Sequence, residues 1–172
     1  MYRQSLLVAL LSFCTFPFAA AELQPSNASE QTQCKFQDHT DVTVEYDSMQ
    51  MNGRKIFGGL VPYGKVWETG YKRSPTLVTS ANLVVGGKEV TAGHYILFTI
   101  PDPDKWTMVI KKVTGKDSPD QMEEVARIDL LVRPLPSPLE SFTISFDQLR
   151  GGCVLNLRWE QTEASVLVAE KK

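Results

Sequence analysis

Apolar and polar residues alternate along most of this chain, and the alternation predicts strands. "DVTVEYD" (41–47) places Val42, Val44 and Tyr46 on one face. "TLVTS" (76–80) and "NLVV" (82–85) are short β-rich runs, and Gly86-Gly87 predicts a hairpin into "KEV" (88–90). Ala92-Gly93 turns the chain into "HYILFTI" (94–100), which "PDPD" (101–104) ends because proline has no amide to give a ladder. "WTMVIKKV" (106–113) alternates again. Residues 114–124 predict a loop in which Ser118-Pro119 is placed to open a helical turn, with Asp120, Glu123 and Glu124 near its positive end. "VARIDLLVR" (125–133) resumes the strands, "PLPSPLE" (134–140) reads as a proline-rich connection, and "SFTISFDQL" (141–149) aligns Phe142, Ile144 and Phe146. After a turn at Arg150-Gly151-Gly152, "CVLNLRWEQ" (153–161) and "ASVLVAE" (164–170) close the pattern.

About nine short strands with frequent turns and no long helix predict an all-β fold. The expected architecture is a single-domain β-sandwich, with a barrel-like β-fold as the alternative. Packing of sheet on sheet would bury Val44, Leu97, Val109, Ile144, Leu155 and Leu157.

Composition agrees with one domain. The chain has 172 residues, 42% hydrophobic and 22% charged, ordinary values for a globular protein with a real core. Its net charge of −2 lacks the basic footprint that nucleic-acid binding requires. The N-terminus departs from the β pattern. Arg3 precedes an apolar stretch, "SLLVALLSFCTFPF" (5–18), and "AAAE" then offers small residues for cleavage near Ala20 or Ala21. Residues 1–21 are therefore expected to be a signal peptide, and the mature chain is expected to be exported, periplasmic or extracellular. The apolar run is shorter than the roughly 20 residues a membrane span needs, and no later segment predicts a transmembrane span. A lipoprotein through Cys14 is the minor alternative, with bulky Phe13 where a small residue is expected. Polar residues 22–40 read as a flexible leader, and 41–170 as the β-domain. After cleavage two cysteines remain, Cys34 and Cys153, which suggests one disulfide, two free thiols being the alternative.

The clearest candidate chemistry lies in "FGGLVPYGKVWETG" (57–70). Gly59 and Gly64 have the spacing of a phosphate-binding loop, but Val66 follows Lys65 where a hydroxyl is needed, and no helix pattern comes after. The segment reads instead as a β-corner, and no cofactor is expected. Metal ligation has little to work with: His39 and His94 stand alone, and Asp102 and Asp104 fit a plain turn better than a calcium site. No nucleophile motif appears. Glu45, Glu68, Glu140 and Glu160 are carboxylates without a pairing signal. Aromatic residues are more suggestive. Tyr63, Trp67, Tyr71, Trp106 and Trp159 are candidates for a wet recognition platform, with core packing an equal explanation for Trp106 and Trp159. Cations flank them, and the candidate ligand-binding set is Arg54, Lys55, Tyr63, Lys65, Trp67, Tyr71, Lys72 and Arg73. Aromatic stacking beside cations favours an anionic glycan or an acidic peptide.

These segments also carry a resemblance. "VTVEYDSMQMNGRKIFGGLVPYGKVWETG", "VVGGKEVTAGHYILFTIPDPDKWTMVI" and "RWEQTEASVLV" resemble a bacterial domain-of-unknown-function family, DUF2911, from about Val42 to Val168. The resemblance implies an exported bacterial β-domain and no assigned activity. This chain departs from the family pattern in three places. Tyr71-Lys72-Arg73-Ser74-Pro75-Thr76 replaces the usual Ala-Asn-Glu-Ala-Thr, so an acidic, amide-bearing stretch becomes basic and aromatic. Tyr46-Asp47-Ser48-Met49 stands for Tyr-Ser-Arg-Pro, and "KDSPDQMEEV" lacks a Trp-Gly. It reads as a diverged member. Three functions remain in view: a non-catalytic binding domain of the cell envelope, an envelope hydrolase using Glu68 or Asp47 with Arg54 as anion clamp, and a structural part of an envelope assembly.

Overall fold

The computed structural model describes residues 29–70, 72–114 and 121–172. Among these residues nine antiparallel strands form one sheet: β1 (Ser29–Lys35), β2 (Asp41–Asp47), β3 (Thr76–Thr79), β4 (Leu83–Val85), β5 (Lys88–Val90), β6 (Gly93–Ile100), β7 (Lys105–Val113), β8 (Met122–Leu149) and β9 (Gly152–Glu170). Their order is β1-β2-β3-β6-β7-β8-β9-β4-β5. The all-β expectation holds: the strands belong to one antiparallel sheet, where the sandwich expectation had two packed face to face, and backbone pairing does not close it into a barrel. Among the described residues no helix is long and apolar enough to cross a membrane.

Strands β2 to β7 lie within one residue of the predicted bounds, because each has an inward face whose apolar residues pin the register. All six expected core residues are buried, Val44 and Leu155 completely. The β4–β5 hairpin turns at Gly86 and Gly87, whose φ values of 53° and 83° suit a two-residue primed turn.

Three elements differ from the sequence expectation. Residues 29–35, read as part of a flexible leader, form strand β1 and pair with β2 in seven-residue register. Their composition is poor in β-formers, but a neighbouring strand and a covalent tie override propensity. Cys34 and Cys153, both fully buried, form the expected disulfide with a Cα separation of 6.1 Å. It joins the β1 edge to the start of β9. Side chains complete that seam: Phe146 N–H donates to Thr32 Oγ1 at 3.1 Å, and Gln148 Nε2 donates to Lys35 O at 3.0 Å. The sheet therefore approaches closure there without a backbone ladder.

The second difference is at the chain's long strands. The proline-rich 134–140 stretch stays extended, so β8 is continuous, and the two runs expected at 153–161 and 164–170 form one strand, β9. The β8–β9 register nevertheless shifts between Pro134 and Leu139 and again before Thr143, opposite Glu160. Prolines cannot donate to the ladder there, and Glu160 takes a φ of 53°. The third difference is in the loop before β8. Met122–Glu124 pair with β7, and the helical turn expected at Ser118-Pro119 lies outside the described residues.

Candidate functional site

The irregular segment between β2 and β3 docks on the β8–β9 bend. Phe142 N–H donates to Met49 O at 2.7 Å and Met51 N–H to Glu140 O at 2.9 Å. The Glu140 carboxylate accepts from Asn52 N–H at 2.7 Å, and the Glu160 carboxylate accepts from Phe57 N–H at 3.2 Å. Two glutamates of the bend thus serve as anchors for one loop. At the far end Trp67 joins β6 by two backbone bonds with Thr99, of 2.7 and 3.0 Å.

Glycines let the corner fold this tightly. A Cβ on Gly59 would sit 2.5 Å from Lys55 O, and one on Gly58, whose φ is 75°, would meet the Tyr63 ring at 2.6 Å. Tyr63 is therefore packed over Gly58. This is the β-corner expected from "FGGLVPYG".

Behind the loop lies an aromatic cluster. Phe57, Trp67, Trp106, Phe142 and Trp159 meet mostly edge to face, with Phe57 4.7 Å from Trp106 between centroids. Trp106 and Trp159 are buried, so core packing accounts for both. Trp67 is partly exposed and stacks on Trp159.

Between loop and sheet is a cleft of about 460 Å³. Trp67 and Trp159 line it together with Met49, and Leu60, Val61, Pro62 and Val66 supply further apolar wall. Gln50, Asn52, Arg54 and Lys65 are its polar residues, and Gly70 completes it. The lining holds two cations and, among the described residues, no carboxylate, although the protein's net charge is −2. Arg54 is held in place from inside: its Nε donates to Met51 O and its Nη2 to Gln50 O, both at 2.8 Å. That side-on pair leaves the end-on edge of the guanidinium, toward Nη1, with no protein partner among the described residues.

Backbone strain concentrates here. Among the described residues four non-glycines have positive φ, and three of them lie in or next to the lining: Asn52 (48°) lines the cleft, Thr69 (58°) precedes Gly70 and Glu160 (53°) follows Trp159. Thr69 is the most telling, since a β-branched residue is disfavoured in that region. It is fully buried, and its hydroxyl pairs with Thr99 Oγ1 at 3.0 Å.

Of the eight candidate ligand-binding residues, Arg54, Lys65 and Trp67 line the cleft. Lys55, Tyr63 and Lys72 are exposed but do not line it. Tyr71 lies outside the described residues. Arg73 is engaged elsewhere: its Nη2 lies 2.9 Å from Asp47 Oδ1 and 3.7 Å from Glu45. Hydrogen bonding to Asp47, then the charges of Asp47 and Glu45, raise the Arg73 pKa above its ordinary value. Asp47 is thereby committed to an ion pair, and Glu68 does not line the cleft. Neither Glu68 nor Asp47, the alternatives for the acid or base of a hydrolase, lines the cleft with Arg54. The aliphatic wall went unrecognised in the sequence. Its available signal was Leu60-Val61 and Val66, apolar residues inside a glycine-proline turn where polar ones are usual.

Among the described residues no group of three or more His, Cys, Asp or Glu side chains is placed to hold a metal ion. Residues 1–21, expected from the sequence to be a signal peptide, lie outside the described residues, and Cys14 with them. No curated protein and no solved structure matches this chain. The model of one family, described as "Protein of unknown function (DUF2911)", matches residues 26–168, which take in the disulfide, the corner loop and every cleft residue, and the chain belongs to that family.

Proposed function

We propose that this protein is a non-catalytic binding domain of the bacterial cell envelope, and that its ligand is anionic and seats in the cleft beside Trp67. One observation carries the reading: a cleft lined by Arg54 and Lys65, without a lining carboxylate among the described residues, over a partly exposed indole. Cations in a concave site focus field and attract anions, and an indole face supports stacking. The strain at Asn52, Thr69 and Glu160 is consistent with a surface held in shape for recognition. Export is supported by the N-terminal apolar segment and by a buried disulfide, since such bonds persist in oxidising compartments.

The test is equilibrium titration with uronic-acid oligosaccharides, acidic peptides and small carboxylates, followed by tryptophan fluorescence. Binding that weakens about tenfold or more in Arg54→Ala/Lys65→Ala supports the proposal, as expected for lost charge-assisted hydrogen bonds. Binding that the double variant leaves unchanged would place the ligand elsewhere.

A further inference from the structure

The cleft's chemistry is lopsided in a way that narrows the ligand class. Its charge is cationic, yet its walls are aliphatic. Leu60 is 50% exposed and Val66 61% exposed, both on the cleft's loop side. Exposed aliphatic side chains beside a concave site leave apolar area to be covered, and covering it is favourable.

A sugar polymer fits this lining poorly. Recognition of hydroxyls needs several polar partners, and the uncharged polar side chains lining the cleft are Gln50 and Asn52. Trp159 offers no polar atom, because its indole N–H donates to Glu140 O at 3.1 Å. A volume of about 460 Å³ is at the lower end of the range for sites that take one small molecule.

From this we infer that the ligand is a small, free amphiphilic carboxylate. Its head meets the open end-on edge of Arg54 together with Lys65, and its apolar body lies along Leu60, Val66 and Trp67. Arg54 suits this role because Met51 O and Gln50 O already hold its guanidinium, so little freedom is lost when a carboxylate binds. The inference rests on the anion-binding reading of the same cleft and specifies the ligand's other end.

The experiment uses the full chain and calorimetric titration with decanoate below its micellar concentration. Decanol and a decyl-ammonium salt are matched controls; trigalacturonate and an acidic peptide represent the other anions. Decanoate is expected to bind one to one and more tightly than decanol. Lys65→Gln should weaken it about tenfold, the loss of one charge-assisted contact. Leu60→Ser/Val66→Ser should weaken decanoate and leave short carboxylates such as acetate unaffected. Both positions are exposed, so the variants are expected to fold, which circular dichroism checks. Decanol binding as tightly as decanoate overturns the inference. Tighter, Lys65-dependent binding of trigalacturonate or the peptide overturns it too, and leaves the anion reading standing. If no anion binds, both fail.

Discussion

Trp67 and Trp159 stack with ring centroids 6.0 Å apart and planes 18° from parallel, although one belongs to an irregular loop and the other to the middle of β9. The contact makes the loop an extension of the core. Trp159 is 1% exposed, so Trp159→Ala is expected to cost about 3–5 kcal/mol in urea unfolding. Trp67 is partly exposed, so Trp67→Ala should cost distinctly less. Equal losses at the two positions would contradict this division of labour.

Glu160 ties the same loop to the bend. Glu160→Ala should remove the acceptor of the Phe57 amide and cost about 1–3 kcal/mol. Amide hydrogen exchange is expected to quicken at Phe57 and to stay unchanged in β2, whose bonds do not involve Glu160. Uniform quickening throughout the sheet would indicate global destabilisation instead.

Thr69 combines a favourable hydrogen bond with an unfavourable backbone angle. Thr69→Val keeps the strained φ and leaves the Thr99 hydroxyl without its partner, so a loss of about 1–3 kcal/mol is expected. Thr69→Gly loses the same bond but relieves strain of about 1 kcal/mol. Thermal unfolding should therefore rank wild type above the glycine variant and the glycine variant above valine.

The disulfide spans 119 residues. The chain-entropy model allows about 4–5 kcal/mol for such a loop. Cys34→Ser/Cys153→Ser should lower the melting temperature and release β1 first, seen as faster amide exchange at 29–35. A melting temperature equal to wild type would show that the side-chain seam from Thr32 to Gln148 is sufficient without it.

Tyr46 is 3% exposed and donates to Glu30 Oε2 at 2.7 Å. Burial first, and the Glu30 carboxylate second, push its hydroxyl well above the ordinary tyrosine range. The folded pKa is raised, so the stabilisation is complete below the unfolded value of about 10 and is lost as pH rises from there. Stability should fall with pH above that point by up to about 1.4 kcal/mol per unit from this group. The fall should be shallower in Tyr46→Phe. Identical alkaline slopes would mean that Tyr46 ionises as readily in the fold as outside it.

Much of this could be read before the fold was known. Val42, Val44 and Tyr46 face inward because a period of two allows only one face to be buried, and the same logic located β3 to β7. Arg54, Lys65 and Trp67 were recognisable as candidates because cations and an indole are unusual together in a glycine-rich corner. Arg73 looked equivalent to them in sequence, yet it is committed to Asp47, 26 positions away.

By itself, then, the sequence determined the all-β class, most strand positions, the corner at "FGGLVPYG" and Cys34 and Cys153 as the candidates for a disulfide. These depend on local periodicity, turn residues and composition. The tertiary structure decided that polar residues 29–35 form an edge strand and that β8 and β9 bend opposite Glu160. It also decided that three of the candidate residues share a cleft with Leu60 and Val66. Those outcomes depend on which distant groups meet, and a local pattern of apolar and polar residues carries no record of that.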